Sequence, residues 1–281
     1  MLHHIRLHRT LWALTAVLTL PVAAAGAARP EIYAGIVSSN ILPGAFSQDL
    51  LSVAAGLGLG YLAVAAGPGK TRHHIAALGI LGYLFYAYGI YVIERAYNGL
   101  YLAYMGIFAL AFWCMVLAGA HFRRDLTPPA LPKGIRLLSA SGAILQPLIF
   151  YPLWIAMLLP LMNSGEQIDS LYSIFILDLC FIMPGFLILS VLTFRNRAVG
   201  LLLLPALHVL GFILIFSLAI GELAKPLFGV PLSPPALWPP LALSLLFLVL
   251  GILHLAKLRP GSAAPGDAST PGGRRVLWDD R

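Results

Sequence analysis

Three polar side chains interrupt long apolar stretches of this sequence. Asp178 lies in LYSIFILDLCFIMPGF, His208 lies in LLLLPALHVLGF, and Gln146 lies in an apolar stretch that precedes both. An ionised aspartate at the centre of a bilayer costs about 2.5 to 3.5 kcal/mol on insertion scales, so it must face other helices, be paired or be protonated. The sequence therefore marks Asp178 as the first candidate for a group that exchanges a proton or holds a cation.

Prolines accompany two of these residues. Pro184 and Pro205 each remove a backbone donor for a carbonyl group one turn earlier in a helix. Because consecutive spans run in opposite directions, Gln146, Asp178 and His208 are all expected near the middle of the bilayer, where broken helices can open a cavity. In the alternative interpretation, Asp178 and His208 only hydrogen-bond to each other or to the freed carbonyl groups and stabilise the bundle.

Tyrosines form a second group of candidates, in the hairpin YLFYAYGIYVIERAYNGLYLAYMGIFAL. Tyr101 and Tyr104 are expected on one helical face, and Tyr86 and Tyr91 crowd the preceding helix. Their hydroxyl groups can line a pocket that opens outward, with Asn98 at its rim. The alternative is an aromatic belt at the level of the lipid headgroups, together with ordinary core packing.

Asp49, in the run FSQDLL, is a further candidate with a structural alternative. Ser47 can cap the second helix, and Asp49 can lie in the first turn, where the helix dipole favours negative charge. No catalytic residue is assigned. The full set of ligand-binding candidates is Asp178, His208, Gln146, Asp49, Tyr86, Tyr91, Tyr101, Tyr104 and Asn98.

Membrane helices must position these residues. The 281-residue chain is 59% hydrophobic and only 10% charged, which is far from the composition of a soluble domain. About 20 apolar residues in a helix cross a hydrocarbon core about 30 Å thick. The apolar stretches therefore predict an all-α, polytopic transmembrane helical bundle. Its eight spans are expected near residues 10–28, 46–66, 75–94, 99–121, 137–162, 171–194, 198–221 and 236–256.

Lys and Arg fall almost entirely in every second gap between the spans. By the positive-inside rule the side that carries them is cytoplasmic, which places both termini in the cytoplasm. This anchoring accounts for the net charge of +7 and argues against nucleic-acid binding. One side carries Arg6, Arg9, Lys70, Arg72, Arg123, Arg124, Lys133, Arg136, Arg195, Arg197, Lys257 and Arg259, whereas the other carries Arg29, Arg95 and Lys225.

The two ends of the chain need separate interpretations. Residues 1–258 are predicted to form one transmembrane domain, and residues 259–281, rich in Pro, Gly, Ser and Ala, are predicted to form a disordered cytoplasmic tail. The first span, with its basic start and small residues at 23–28, also resembles a cleavable signal peptide. We favour a retained helix, because Pro21 and small residues are tolerated within a span.

The sequence indicates no metal site and no cofactor. Cys114 and Cys180 both lie within predicted spans, and no CxxC motif is present. Bis-histidine haem ligation would need a second histidine at the depth of His208, whereas His121 and His254 lie toward the inner end.

Three segments carry a resemblance to a known group of proteins. They are the SQDL run that opens the second span, the tyrosine-rich hairpin, and ILDLCFIMPGFLILSVLTFRNRAVGLLLLP. They resemble an uncharacterised family of prokaryotic multi-pass integral membrane proteins, over most of residues 30–220. The resemblance implies no activity, because none is assigned to that family. Richness in Ala, Leu, Gly and Pro is typical of a high-GC bacterium, so the bacterial cell (inner) membrane is the expected location.

Three classes of function remain open. Small-molecule or ion binding, in the form of a proton-coupled carrier, explains polar residues at mid-depth, and we favour this non-enzymatic class. An intramembrane enzyme would use Asp178 and His208 as an acid/base pair at a common cavity. A non-catalytic accessory or assembly subunit would need neither side chain. The expected partners are the lipid bilayer and a small-molecule or ion ligand, and no oligomeric state is predicted.

Overall fold

The computed structural model describes residues 1–122, 129–168 and 170–259. Within these residues, eight helical stretches are long and apolar enough to cross a membrane, and no β-strand is formed. The prediction of an all-α bundle of eight spans is therefore confirmed. The predicted tail from residue 260 onward and the loop residues Arg123 and Arg124 lie outside the described residues.

Each span overlaps its prediction closely. A π-helical turn, Asp178–Ile182, joins α6 to α7 within the sixth span, and a 3-10 turn, Lys225–Phe228, completes the seventh. The helices are α1 (Ile5–Ala28), α2 (Leu42–Ala65), α3 (Thr71–Ile93), α4 (Tyr101–Ala120), α5 (Lys133–Ser164), α6 (Tyr172–Leu177), α7 (Met183–Phe194), α8 (Ala198–Ala224) and α9 (Pro234–Lys257).

Several helices begin earlier than predicted. α2 begins at Leu42 rather than at residue 46, because Pro43 fits the first turn of a helix, where its missing N–H is not needed. α1 begins at Ile5 and α5 at Lys133, four or more residues before the apolar stretches that the prediction counted. The helices α1, α2 and α5 thus begin before the apolar residues that cross the hydrocarbon core.

Hydrogen bonds between chain segments that are distant in sequence identify one end of the bundle. At one end the backbone N–H of His3 donates to the carbonyl oxygen of His121 at 2.9 Å. The guanidinium of Arg72 donates to the carbonyl groups of Ala256 and Leu258 at the same end. We call this the basic end. The distal end is the opposite one, where α1, α3, α5 and α8 finish and where α2, α4, α6 and α9 begin. The cytoplasmic orientation of the basic end stays a prediction.

α3 and α8 are the most buried spans, and they approach each other closely. A methyl group added at Gly79 of α3 would lie only 2.6 Å from both the carbonyl oxygen of Ala206 and the Cβ of Val209 on α8. The absence of a side chain at Gly79 therefore permits this contact. α5 is the least buried span, and it packs mainly on α7 and α9.

α1 packs along α2, which makes the first segment part of the described bundle. A methyl group added at Gly56 would lie 3.0 Å from the side chain of Leu20, and one at Gly60 would lie 3.7 Å from Ala16. These two glycines of α2, spaced by four residues, therefore serve packing within the chain. Retention of α1 rather than cleavage as a signal peptide stays a prediction.

Candidate functional site

Asp178 lies at a break in the sixth span. It opens the π-helical turn Asp178–Ile182, and Pro184 follows in the first turn of α7. In a π turn each backbone hydrogen bond joins residues five positions apart instead of four. Pro184 has no N–H to donate. The break expected at Pro184 is therefore present. Turns of this kind occur frequently at functional sites.

One oxygen of Asp178 is paired and the other is not. The indole N–H of Trp154 on α5 donates to Oδ2 at 2.7 Å, and the hydroxyl of Tyr86 on α3 lies close enough to the carboxyl group to interact with it. Oδ1 is buried and has no hydrogen-bond partner in the described part of the chain. Only 5% of the residue is exposed, and no cationic side chain among the described residues pairs with it.

The rings of Trp154 and Phe175 form an aromatic wall beside Asp178. A cleft of about 600 Å³ lies on the side of this wall away from the carboxyl group. Its boundaries are the last turns of α5, the loop that follows α5, and the first turns of the sixth span. Phe175 lines the cleft and packs edge-on against Trp154, with 5.5 Å between the ring centroids. Trp154 and Phe175 thus separate the cleft from the carboxyl group of Asp178.

His208 belongs to a different hydrogen-bonded chain. Its Nε2 lies 2.8 Å from the hydroxyl oxygen of Ser139, which lies 2.7 Å from Nδ1 of His254. Nε2 of His254 lies 2.9 Å from the carbonyl oxygen of Leu201. The chain links α5, α8 and α9, and its three side chains are buried.

When both imidazoles are neutral, the carbonyl oxygen of Leu201 determines which atom donates in each of these hydrogen bonds. Because a carbonyl oxygen only accepts, His254 carries its proton on Nε2, and its Nδ1 accepts from Ser139. The hydroxyl oxygen of Ser139 then accepts from Nε2–H of His208. Nδ1 of His208 is left as an acceptor, and it has no partner among the described residues.

The sequence did not single out Ser139 or His254. A serine in a helix commonly bonds to a carbonyl group of its own helix, so its presence does not indicate a tertiary contact. His254 lies close to the end of α9, a position that is also typical of an interfacial residue. No local pattern indicates that α5 and α9 bring the two residues together.

Asp178 and His208 do not hydrogen-bond to each other. Their partners Trp154 and Ser139 both lie on α5, 15 residues apart, which is a rise of about 22 Å. The two groups are therefore anchored at different levels of the bundle, and the acid/base pair considered above is not formed. Gln146 lies between these levels on α5, and its Oε1 is buried without a partner among the described residues.

The first-turn interpretation of Asp49 is wrong. Since α2 begins at Leu42, Asp49 is the eighth residue of the helix. The hydroxyl of Ser47 donates to the carbonyl oxygen of Gly44, 2.9 Å away, and does not cap the helix. The reason is the early start of α2, which moves Asp49 into the bundle.

Tyrosines enclose Asp49. The hydroxyl of Tyr33 donates to Oδ2 at 2.6 Å, and the hydroxyl of Tyr91 donates to Oδ1 at 3.1 Å. Tyr104 donates to the hydroxyl of Tyr33 at 3.4 Å, and Asn98 donates to the hydroxyl of Tyr104 at 3.0 Å. Burial, and then the neighbouring Asp49, raise the pKa of Tyr33 well above its ordinary value, so this hydroxyl stays a donor.

These hydroxyl groups face one another and Asp49 rather than an open pocket. Asp49 and Tyr104 are completely buried, and Tyr91 is nearly so. Tyr33, which the sequence did not single out, comes from the 3-10 turn Pro30–Tyr33, outside every span. Tyr101 stands apart and donates to the carbonyl oxygen of Val92 at 2.9 Å.

The candidates therefore include an enclosed group around Asp49 and an incompletely paired group around Asp178, whereas His208, Gln146 and Tyr101 belong to neither group. Comparisons of the chain with models of protein families, with curated proteins and with solved structures find no match.

Proposed function

We propose that the protein binds a small cationic molecule or ion and carries it across the bacterial cell membrane in exchange for protons. Asp178 is the binding group. The observation that carries this proposal is the buried carboxyl group with one oxygen, Oδ1, lacking a partner among the described residues. A buried carboxyl group in this state is stabilised by a proton or by a cation, so the two compete for one place.

The surroundings of Asp178 favour an organic cation. Trp154 and Tyr86 flank the carboxyl group, and Phe175 packs on Trp154. Aromatic faces attract a cation that has left water, by about 2 kcal/mol or more at a desolvated site. A carboxyl group beside aromatic rings thus suits a molecule that is both positively charged and partly apolar.

The charge distribution supports an orientation for this carrier. The positive-inside rule places the basic end in the cytoplasm. Asp178 is the seventh residue of the span that begins with Tyr172 at the distal end, so it lies about 9 Å from that end at 1.5 Å per residue. In this orientation the binding carboxyl group belongs to the outer half of the membrane.

Binding of tetraphenylphosphonium, a lipophilic cation, to the purified protein tests the proposal. Asp178→Asn should weaken binding at least about tenfold, as expected when one charge of a desolvated pair is removed. Raising the pH should strengthen binding to the unaltered protein, because protons compete for the carboxyl group, and should have no effect on the variant.

Asp49→Asn is the matched control, since Asp49 is a buried aspartate whose two oxygens already accept hydrogen bonds. Folded Asp49→Asn protein should bind the probe like the unaltered protein. In proteoliposomes, a proton gradient should raise uptake of the probe above the passive uptake of protein-free liposomes with the protein and with the control, but not with Asp178→Asn. Equal binding and uptake by all three proteins would refute the proposal.

A further inference from the structure

The cleft between the end of α5 and the start of α6 has features of a lipid site, independent of the proposed transport. We infer that it holds one glycerophospholipid whose headgroup carries both a phosphate and a primary ammonium group. The inference rests on the shape of the cleft, on the order of polar and apolar residues along it, and on the two charges at its rim.

The cleft runs from the distal end of the bundle toward the middle. Its wall on the sixth span extends from Tyr172 to Cys180, a rise of about 12 Å. The deeper wall is apolar, with Leu158 of α5 facing the cleft together with Ile176 and Leu179. A headgroup at the helix ends and an acyl chain along this wall would match the polarity of a bilayer at the same depths.

The cleft opens sideways toward lipid. α5 packs mainly on α7 and α9, so its last turns stand apart from α6. Ile176, which lines the cleft, is 44% exposed, and Cys180 is also exposed. The volume of about 600 Å³ is therefore accessible to a lipid that enters from the membrane without opening of the bundle.

Among the residues that the structure describes, two charged ones line the rim, one of each sign. Arg95 lies on the α3–α4 loop, where it is exposed and its guanidinium interacts with Tyr172, and Glu166 lies on the loop after α5. Guanidinium groups bind phosphate with paired hydrogen bonds, and a carboxylate is the usual partner of an ammonium group. A headgroup with a phosphate and no amine would leave Glu166 beside a negative charge. Glu94, which precedes Arg95 in the sequence, is not available to the headgroup. Its Oε1 already accepts hydrogen bonds from the N–H and the hydroxyl of Ser173.

An acyl chain in this place would cover the outer side of Phe175 and Leu179. Phe175 packs on Trp154, which holds the carboxyl group of Asp178. The bound lipid would therefore exclude water from the side of Phe175 that faces the cleft, while its headgroup remains at the distal end.

Quenching of Trp154 fluorescence by phospholipids with dibrominated chains tests this inference. The full chain carries the background substitutions Trp113→Phe, Trp238→Phe and Trp278→Phe, which leave Trp154 and the fully buried Trp12. The protein is reconstituted in phosphatidylcholine vesicles with increasing fractions of brominated phosphatidylethanolamine or brominated phosphatidylglycerol. Phosphatidylethanolamine should reach half-maximal quenching at up to about a fivefold lower fraction than phosphatidylglycerol, because both lipids offer a phosphate to Arg95 but only phosphatidylethanolamine offers an ammonium group to the exposed Glu166.

Arg95→Ala combined with Glu166→Ala should abolish this preference. Arg29→Ala combined with Glu31→Ala is the matched control, because this second Arg/Glu pair is exposed and adjoins the distal end outside the cleft. The control should keep the preference. Should the double variant fold poorly, Glu166→Gln alone should reduce the preference.

Equal quenching by the two lipids, or stronger quenching by phosphatidylglycerol, would overturn the inference. Equal loss of the preference in both double variants would also overturn it, since the charges would then act from a distance. Asp178→Asn should leave the lipid preference unchanged. A failure of cation binding with an intact lipid preference therefore rejects only the proposed transport, and the reverse result rejects only the lipid site.

Discussion

Replacement of Ser139 by alanine should loosen the contact between three helices. The hydroxyl group of Ser139 makes two hydrogen bonds, of 2.8 and 2.7 Å, to His208 on α8 and to His254 on α9. Hydrogen bonds between membrane helices contribute about 0.6 kcal/mol on average, so two contribute roughly 1.2 kcal/mol. The substitution also leaves Nε2 of His208 and Nδ1 of His254 buried without a partner, which adds to the cost. We expect a loss of roughly 1 to 3 kcal/mol in the free energy of unfolding.

Ser244 offers a matched control. It is a completely buried serine of α9, and its hydroxyl donates to the carbonyl oxygen of Leu241 in the same helix. Ser244→Ala therefore removes a bond that holds no other helix. We expect it to lower the free energy of unfolding by less than about 0.5 kcal/mol.

Equilibrium unfolding in mixed micelles of a mild detergent and dodecyl sulfate measures both variants. A double-mutant cycle of Ser139→Ala with His254→Phe then isolates the interaction between the two residues. We expect a coupling of about 0.5 to 1.5 kcal/mol. A coupling near zero, or a loss for Ser139→Ala no larger than that for Ser244→Ala, would refute the role of these hydrogen bonds in holding the three helices together.

Three other substitutions and one labelling experiment test the packing around the two aspartates. Gly26→Val should lower the free energy of unfolding by about 1 to 3 kcal/mol in the same assay, since even a Cβ would overlap Oδ2 of Asp49 and lie 2.8 Å from the hydroxyl of Tyr33. Gly44→Ala, where a Cβ meets nothing within 4 Å, should be tolerated. Tyr33→Phe should cost about 1 kcal/mol, because it removes one donor from an enclosed carboxyl group. A membrane-soluble maleimide should label the exposed Cys180 and spare the buried Cys114, as read by mass spectrometry.

The spans were predictable because lipid restricts the possible solutions. A backbone in hydrocarbon must satisfy its polar groups within one helix, and that helix needs about 20 apolar residues. The inward orientation of Asp178 followed from the same restriction, since a carboxyl group facing acyl chains is costly. These inferences needed only hydropathy and position along the chain.

The partners of the polar residues were not predictable in this way. Asp49 is enclosed by Tyr33, from a short turn outside the spans, and by Tyr91, from another helix. Ser139 meets His254 over 115 positions of the chain. Such contacts depend on how helices are arranged in the bundle, and hydropathy does not encode that arrangement. The position of Asp49 also depended on whether Pro43 ends or begins a helix, and both are compatible with its fixed backbone angle.

The contrast between the two buried aspartates is the strongest reason to assign them different roles. Hydropathy treats Asp49 and Asp178 alike, because each is one acid in an apolar helix. Both oxygens of Asp49 accept hydrogen bonds from tyrosine hydroxyl groups, so the site is complete within the chain. Asp178 has one indole donor and one oxygen without a partner among the described residues, and leaving such an acceptor unpaired costs about 1 to 3 kcal/mol. A bound cation at Asp178 removes that cost, and a proton instead removes the cost of burying the negative charge. Loss of Asp178 should therefore affect binding more than folding, and loss of Asp49 should do the opposite.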